Sequence, residues 1–113
     1  MPPHIDREFA NAGVAGPAAL AVVCDVLHRL ITEQDAADEL EAAIQSGRRL
    51  VALDPLSEVG QRALIRAYAR VGRRAAALRR FKSYAETLER ELGVAPDAET
   101  QALAKEIERS GKV

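Results

Sequence analysis

Apolar residues recur at steps of three and four along most of the chain, the spacing of one helix face. Leu20, Val23, Cys24, Leu27, Leu30 and Ile31 form the first stripe. A polar stretch from Thr32 to Asp38 interrupts it. Leu40, Ala43, Ile44, Gly47, Leu50 and Val51 form the second, which closes at Asp54-Pro55 because proline disfavours helix at the residue before it. Ser57 then stands where a hydroxyl can cap the next helix. Leu64, Ala67, Tyr68 and Val71 follow, up to Gly72, a residue suited to the left-handed end of a helix. The fourth stripe is Leu78, Phe81, Ala85, Leu88 and Leu92, stopped by Gly93 and Pro96. Asp97 is positioned to cap a last helix carrying Leu103, Ala104 and Ile107. No segment alternates as a strand would, so the spacing predicts an all-α fold of about five helices. Residues 1–17 carry Pro2, Pro3, Gly13, Gly16 and Pro17 and no periodic face. They read as a flexible N-terminal tail, with at most a helical turn around Asp6 to Ala12, ahead of a helical module over 18–110.

The stripes repeat. Setting Cys24–Ser57 against Glu58–Glu91 gives a 34-residue period, the length of a tetratricopeptide (TPR) helix–turn–helix unit. The second copy has Leu64 and Tyr68 on its first helix, Gly72 in its turn, and Ala77 and Phe81 on its second. Small residues there let helices cross closely while large ones fill the gap beside them. The first copy keeps Leu30, Ala43 and Pro55, but has Gln34 in place of the tyrosine and Gly47 in place of the aromatic. The second has Glu89 in place of the closing proline. These matches predict TPR-like antiparallel hairpins stacked as a right-handed α-α superhelix, with the last helix as a cap. An ordinary antiparallel helix bundle is the alternative.

Composition narrows the classes. Of 113 residues, 22 are alanine and only four are aromatic, which favours helix over sheet. The single cysteine, Cys24, excludes an intrachain disulfide and fits a reducing cytoplasm. The N-terminus lacks a basic signal-peptide region, and the uncharged stretch from Asn11 to Cys24 is short for a membrane span. The net charge of −1 hides a segregated layout. Between Val59 and Ala85 there are eight Arg or Lys residues and no acid, while acidic clusters flank that window on both sides.

Arg62, Arg66 and Arg70 repeat every four residues and so share one helix face. In a TPR register it is the concave face. The corresponding face of the earlier helix offers Asp25, His28 and Thr32. Arg62, Arg66 and Arg70, with His28, are the candidate partner-binding residues, for an acidic segment of another protein or of the same polypeptide. The competing reading is a solvated face paired with nearby carboxylates. Nucleic acid fits this patch poorly, since no aromatic platform accompanies the arginines. Catalytic, cofactor and metal chemistry find no support. Cys24 and His28 make only two ligands, His4 is the other histidine, and carboxylate pairs such as Asp38/Glu41 and Glu86/Glu89 read as ordinary helix surface.

Three runs carry a family resemblance: Ala52-Leu53-Asp54-Pro55, then Ala67-Tyr-Ala-Arg-Val-Gly-Arg-Arg-Ala-Ala-Ala-Leu78, then Glu89-Arg-Glu-Leu-Gly-Val-Ala-Pro96. In this order and at these separations the chain resembles the bacterial transcriptional activator domain family, over about residues 36–109 and more loosely over 18–35. The resemblance implies a TPR-like module that is regulatory, not an enzyme, and that supports dimerisation and partner contacts in transcriptional regulators. It also implies a winged-helix DNA-binding domain ahead of the module. Residues 1–17 are too few to form one, so DNA is expected to be reached only indirectly, through a separate domain. The expected partners are another protein or a second copy of the chain, with no membrane. A generic TPR scaffold and a regulatory module of a signalling enzyme such as a nucleotide cyclase are the alternatives.

Overall fold

A computed structural model describes residues 16–110. Residues 1–15 and 111–113 lie outside it, and with them the expected helical turn around Asp6 to Ala12. The described chain forms five helices and no strand: α1 Pro17–Ala36, α2 Leu40–Leu53, α3 Glu58–Arg70, α4 Arg74–Leu92 and α5 Ala98–Ser110. Helix α1 starts at Pro17, one residue before the expected boundary. Proline suits a first helical position because its φ is already helical and its missing N–H would have no partner there. The polar stretch does not end α1 at Thr32, whose hydroxyl donates to the His28 carbonyl. The turn comes at Ala37–Asp38, and Asp38 takes φ +63°, a left-handed conformation that aspartate tolerates better than most side chains.

The expected caps are present. Ser57 Oγ accepts from Gly60 N at 3.1 Å, and Asp97 Oδ1 from Thr100 N at 2.8 Å. Both helix starts share a second tie. Gln61 Nε2 donates to the Pro55 carbonyl at 2.9 Å, and Gln101 Nε2 donates to the Pro96 carbonyl at 2.7 Å. Gly72 and Gly93 lie at φ +86° and +68°, and turn the chain out of α3 and α4.

Successive helices pack on one another; in addition α1 touches α3, and α3 touches α5. The result is TPR-like: hairpins α1–α2 and α3–α4, with α5 beside α3 as the cap. The core is built in layers. Leu27, Ile31 and Leu50 hold α1 to α2, and Ala43, Ile44, Val51, Leu64 and Ala67 hold α2 to α3. Ile65, Ala69, Ala77, Leu103 and Ile107 join α3, α4 and α5, with Tyr68 packed against both of these last two layers. The 34-residue equivalents Ile31/Ile65, Ala43/Ala77 and Leu50/Tyr84 are buried in both copies. Gly47 explains its departure from the repeat pattern. A Cβ there would lie 3.2 Å from Leu64 Cδ1, so the α2–α3 crossing leaves no room for the aromatic of the second copy.

Three expectations about side chains change. Leu20, Val23 and Leu30 belong to the predicted first stripe yet are exposed, because among the described residues α1 has neighbours on one side only. Cys24 is half-buried at the edge of the α1–α2 layer. Phe81 is also only half-buried, whereas Tyr84, outside the predicted stripe, is the largest fully buried side chain.

Candidate interaction groove

Helices α1 and α3 bound a cleft of about 330 Å³, reached at one end by Glu99 of α5. His28 and Thr32 line it from α1, and Arg62, Ala63 and Arg66 from α3. Asp25, placed on this face by the sequence, is exposed and not part of the lining.

The three arginines share a face but not an environment. Arg62 reaches α5, with Nη1 3.3 Å from both Asp97 Oδ2 and Thr100 Oγ1, and Nε 3.2 Å from Glu99 Oε2. Arg70 reaches the end of α1, with Nη1 2.6 Å from Asp35 Oδ1 and Nη2 2.9 Å from Asp38 Oδ1. Between them, Arg66 is half-buried and makes no hydrogen bond or ion pair among the described residues. His28 Nε2 lies 3.3 Å from Ser57 Oγ, tying α1 to the cap of α3.

A second polar network secures α5. Tyr84 OH donates to Glu58 Oε1 at 2.7 Å, and the other Glu58 oxygen accepts from Asp97 N at 3.4 Å. At the far end Arg74 donates to the carbonyls of Ile107 and Glu108, groups that the last turn of a helix leaves without partners. Tyr84, Glu58 and Arg74 were not singled out by the sequence reading. The repeat itself carries the signal for Tyr84, which stands 34 residues after buried Leu50.

The Asp97 carboxyl is held below its ordinary value, first by the Thr100 backbone N–H, then by the Thr100 hydroxyl, with the Arg62 charge adding to both. A depressed folded pKa stabilises above the unfolded value and is lost as pH falls through the folded one. Acidification below about pH 4 is therefore expected to loosen the start of α5. The Thr100 amide resonance, followed against pH, reports this, and Asp97→Asn should flatten the profile. A Thr100 transition unchanged in that variant would contradict the assignment.

The other surface of note is the outward side of α1. Leu20, Val22, Val23, Val26 and Leu30 are all exposed, Val22 by 61 %. Val23 and Leu27 continue into a shallow depression walled by Arg49, Ala52 and Leu53 of α2. Among the described residues no three His, Cys, Asp or Glu side chains gather to hold a metal ion, and no helix is long and apolar enough to cross a membrane.

A family model described as "Bacterial transcriptional activator domain" matches residues 17–108. Comparison with curated proteins and with solved structures gave no match.

Proposed function

The chain belongs to the bacterial transcriptional activator domain family, and from that premise we propose that it is a non-catalytic protein–protein interaction module of a transcriptional regulator. It acts in the cytoplasm, associates with a second copy of itself, and leaves DNA contact to a separate winged-helix domain. The observation that carries this reading is the apolar side of α1 that no described residue covers. Val22, Val26 and Leu30 are spaced by four and form one ridge, with Leu20 and Val23 beside it.

A ridge of this spacing interdigitates with an identical one at a crossing angle near −50°. Charge placement favours a two-fold, antiparallel arrangement. The charged residues of α1 all lie after Cys24. Pairing about Val26 sets Arg29 and Glu33 of one copy over uncharged Val23 and Ala19 of the other. A parallel pairing would set Arg29 against Arg29 and Glu33 against Glu33. One helix face covers less than the roughly 800 Å² per partner of a standard interface, so the association is weak and reversible.

Light scattering on the whole chain tests it. The mass should rise from monomer towards dimer as concentration passes from about 10 µM to several hundred µM, the range of a small interface. Val26→Asp should hold the chain monomeric without changing its circular dichroism, because Val26 is exposed. A mass fixed at the monomer, or one that rises equally in Val26→Asp, would overturn self-association through α1.

A further inference from the structure

The groove and the α1 face are different surfaces, and the groove supports an inference that stands without dimerisation. We infer that the α1–α3 cleft seats a single carboxylate side chain of a docked polypeptide segment, held by Arg66 and flanked by uncharged residues. Arg62, Arg66 and Arg70 look equivalent in the sequence, but of the three only Arg66 is without a partner among the described residues. Arg62 is occupied by Asp97, Glu99 and Thr100, and Arg70 by Asp35 and Asp38.

Arg66 differs from the other unpaired arginines in its surroundings. Arg29, Arg48, Arg49 and Arg79 stand on exposed surface, and Arg80, half-buried like Arg66, borders a separate shallow depression beside Tyr68, Arg79 and Ser83; Arg66 alone among these arginines stands in the wall of the α1–α3 cleft. It stands in the cleft wall without a hydrogen-bond or ion-pair partner among the described residues, and a carboxylate is the group that matches its charge and, with two prongs, its fork of donors. Ile31, Ala43, Val59 and Ala63 supply apolar wall for the carbon stem of such a side chain.

The same geometry limits what fits. Asp35 and Glu99 also line the cleft, towards its two ends. Around it the two charges of Arg62 and Arg70 are outnumbered by the four of Asp35, Asp38, Asp97 and Glu99, so the ends of the groove repel anions and Arg66, in the middle, can pair with one. A run of acidic residues would bring its outer carboxylates against Asp35 and Glu99. A doubly charged phosphate would suffer the same repulsion more strongly. One acid between apolar neighbours avoids both. The cleft is partly open to solvent and bounded by two helices side by side, a shape that suits a segment of chain.

Three capped pentapeptides serve as probes for the whole ¹⁵N-labelled chain: Leu-Ala-Glu-Ala-Leu, its Gln counterpart, and Leu-Glu-Glu-Glu-Leu. The single-Glu peptide should shift the Arg66 Nε–H resonance and the Thr32 and Ala63 amides saturably, at millimolar concentration. The Gln peptide should bind at least about tenfold more weakly, the usual weight of a charge-assisted pair. The triple-Glu peptide should bind no tighter than the single one. Arg66→Gln should abolish the preference for Glu over Gln while leaving the melting temperature unchanged, since the Arg66 side chain makes no hydrogen bond or ion pair among the described residues. Equal binding of the Glu and Gln peptides would overturn the inference. So would a clearly tighter triple-Glu peptide, or shifts centred on Arg62 and Arg70. The peptide comparison in the unaltered chain decides the matter even if a variant folds poorly. Failure here leaves the light-scattering result for α1 untouched, and the reverse.

Discussion

Replacing Tyr84 with alanine is expected to cost about 3–5 kcal/mol, the range for deleting a fully buried aromatic side chain. Against a total of about 5–15 kcal/mol for a small domain, this is enough to leave the chain partly unfolded. Tyr84 is 1 % exposed, and its hydroxyl reaches Glu58, which also accepts from Asp97 N at the head of α5. The alanine variant therefore loses volume at the α4 layer and a tether for α5 at once. Tyr84→Phe keeps the ring and loses only the hydrogen bond to a carboxylate that water can still reach. About 1–2 kcal/mol is expected for it. Urea midpoints followed by circular dichroism separate the two variants, and a phenylalanine variant as unstable as the alanine one would show that the hydroxyl, not the ring, dominates. The phenol adds a pH signature. Burial, and then the hydrogen bond and charge of Glu58, push its pKa well above the usual 10.0. A raised folded pKa stabilises fully below the unfolded value and is lost as pH climbs towards the folded one. Alkaline unfolding should begin above about pH 10, and Tyr84→Phe should lack the Tyr84 share of that slope.

Gly60→Val is the second large effect, expected at about 3 kcal/mol. A Cβ on Gly60 would lie 2.7 Å from Leu50 Cδ2 and 3.0 Å from its Cγ. Leu50 is itself fully enclosed and packs with Leu27 and Ile31, so it can yield only by moving α1. Overpacking of this kind costs about 1–3 kcal/mol. The added side chain also crowds Ser57 Oγ, 3.1 Å away, and so weakens a cap worth about 1 kcal/mol. Gly47→Ala is the internal comparison. Its Cβ would meet Leu64 side-chain atoms at 3.2 and 3.3 Å. That milder strain is set against the roughly 1 kcal/mol that alanine gains over glycine inside a helix, leaving a net change under about 1 kcal/mol. Thermal unfolding of both variants tests the ordering, and a Gly60→Val variant as stable as Gly47→Ala would refute it.

Helix ends were legible in the sequence where local chemistry sets them. Ser57, Gly72, Gly93 and Asp97 each act through a bond or a backbone angle of their own residue. Asp38 was not legible, because a left-handed aspartate has no signal as plain as a glycine. The outward side of α1 is hidden from the sequence for another reason. An apolar stripe looks the same whether it covers a core or waits at the end of a stack, and only the number of neighbours distinguishes the two. Tyr84 falls outside the apolar stripe that runs through Phe81 and Ala85, although the repeat aligns it with Leu50. The arginine pairing follows the repeat too. Arg62 to Asp97 and Arg70 to Asp35 are each separated by 35 residues, close to one repeat length. Such pairs become visible only once the period is used to bring neighbouring repeats side by side.

The one-sided burial of α1 has an energetic consequence. In a stack where each layer contacts only its neighbours, stability is shared unevenly, and the end with the fewest buried groups opens first. Helix α1 buries only Leu27 and Ile31, whereas α5 at the other end is pinned through Arg62 and Arg74 as well as its own core residues. The helix with the free apolar ridge is thus also the one closest to fraying. If the proposed docking occurs there, it would raise the local stability of the segment that docks, coupling recognition to ordering of the first hairpin.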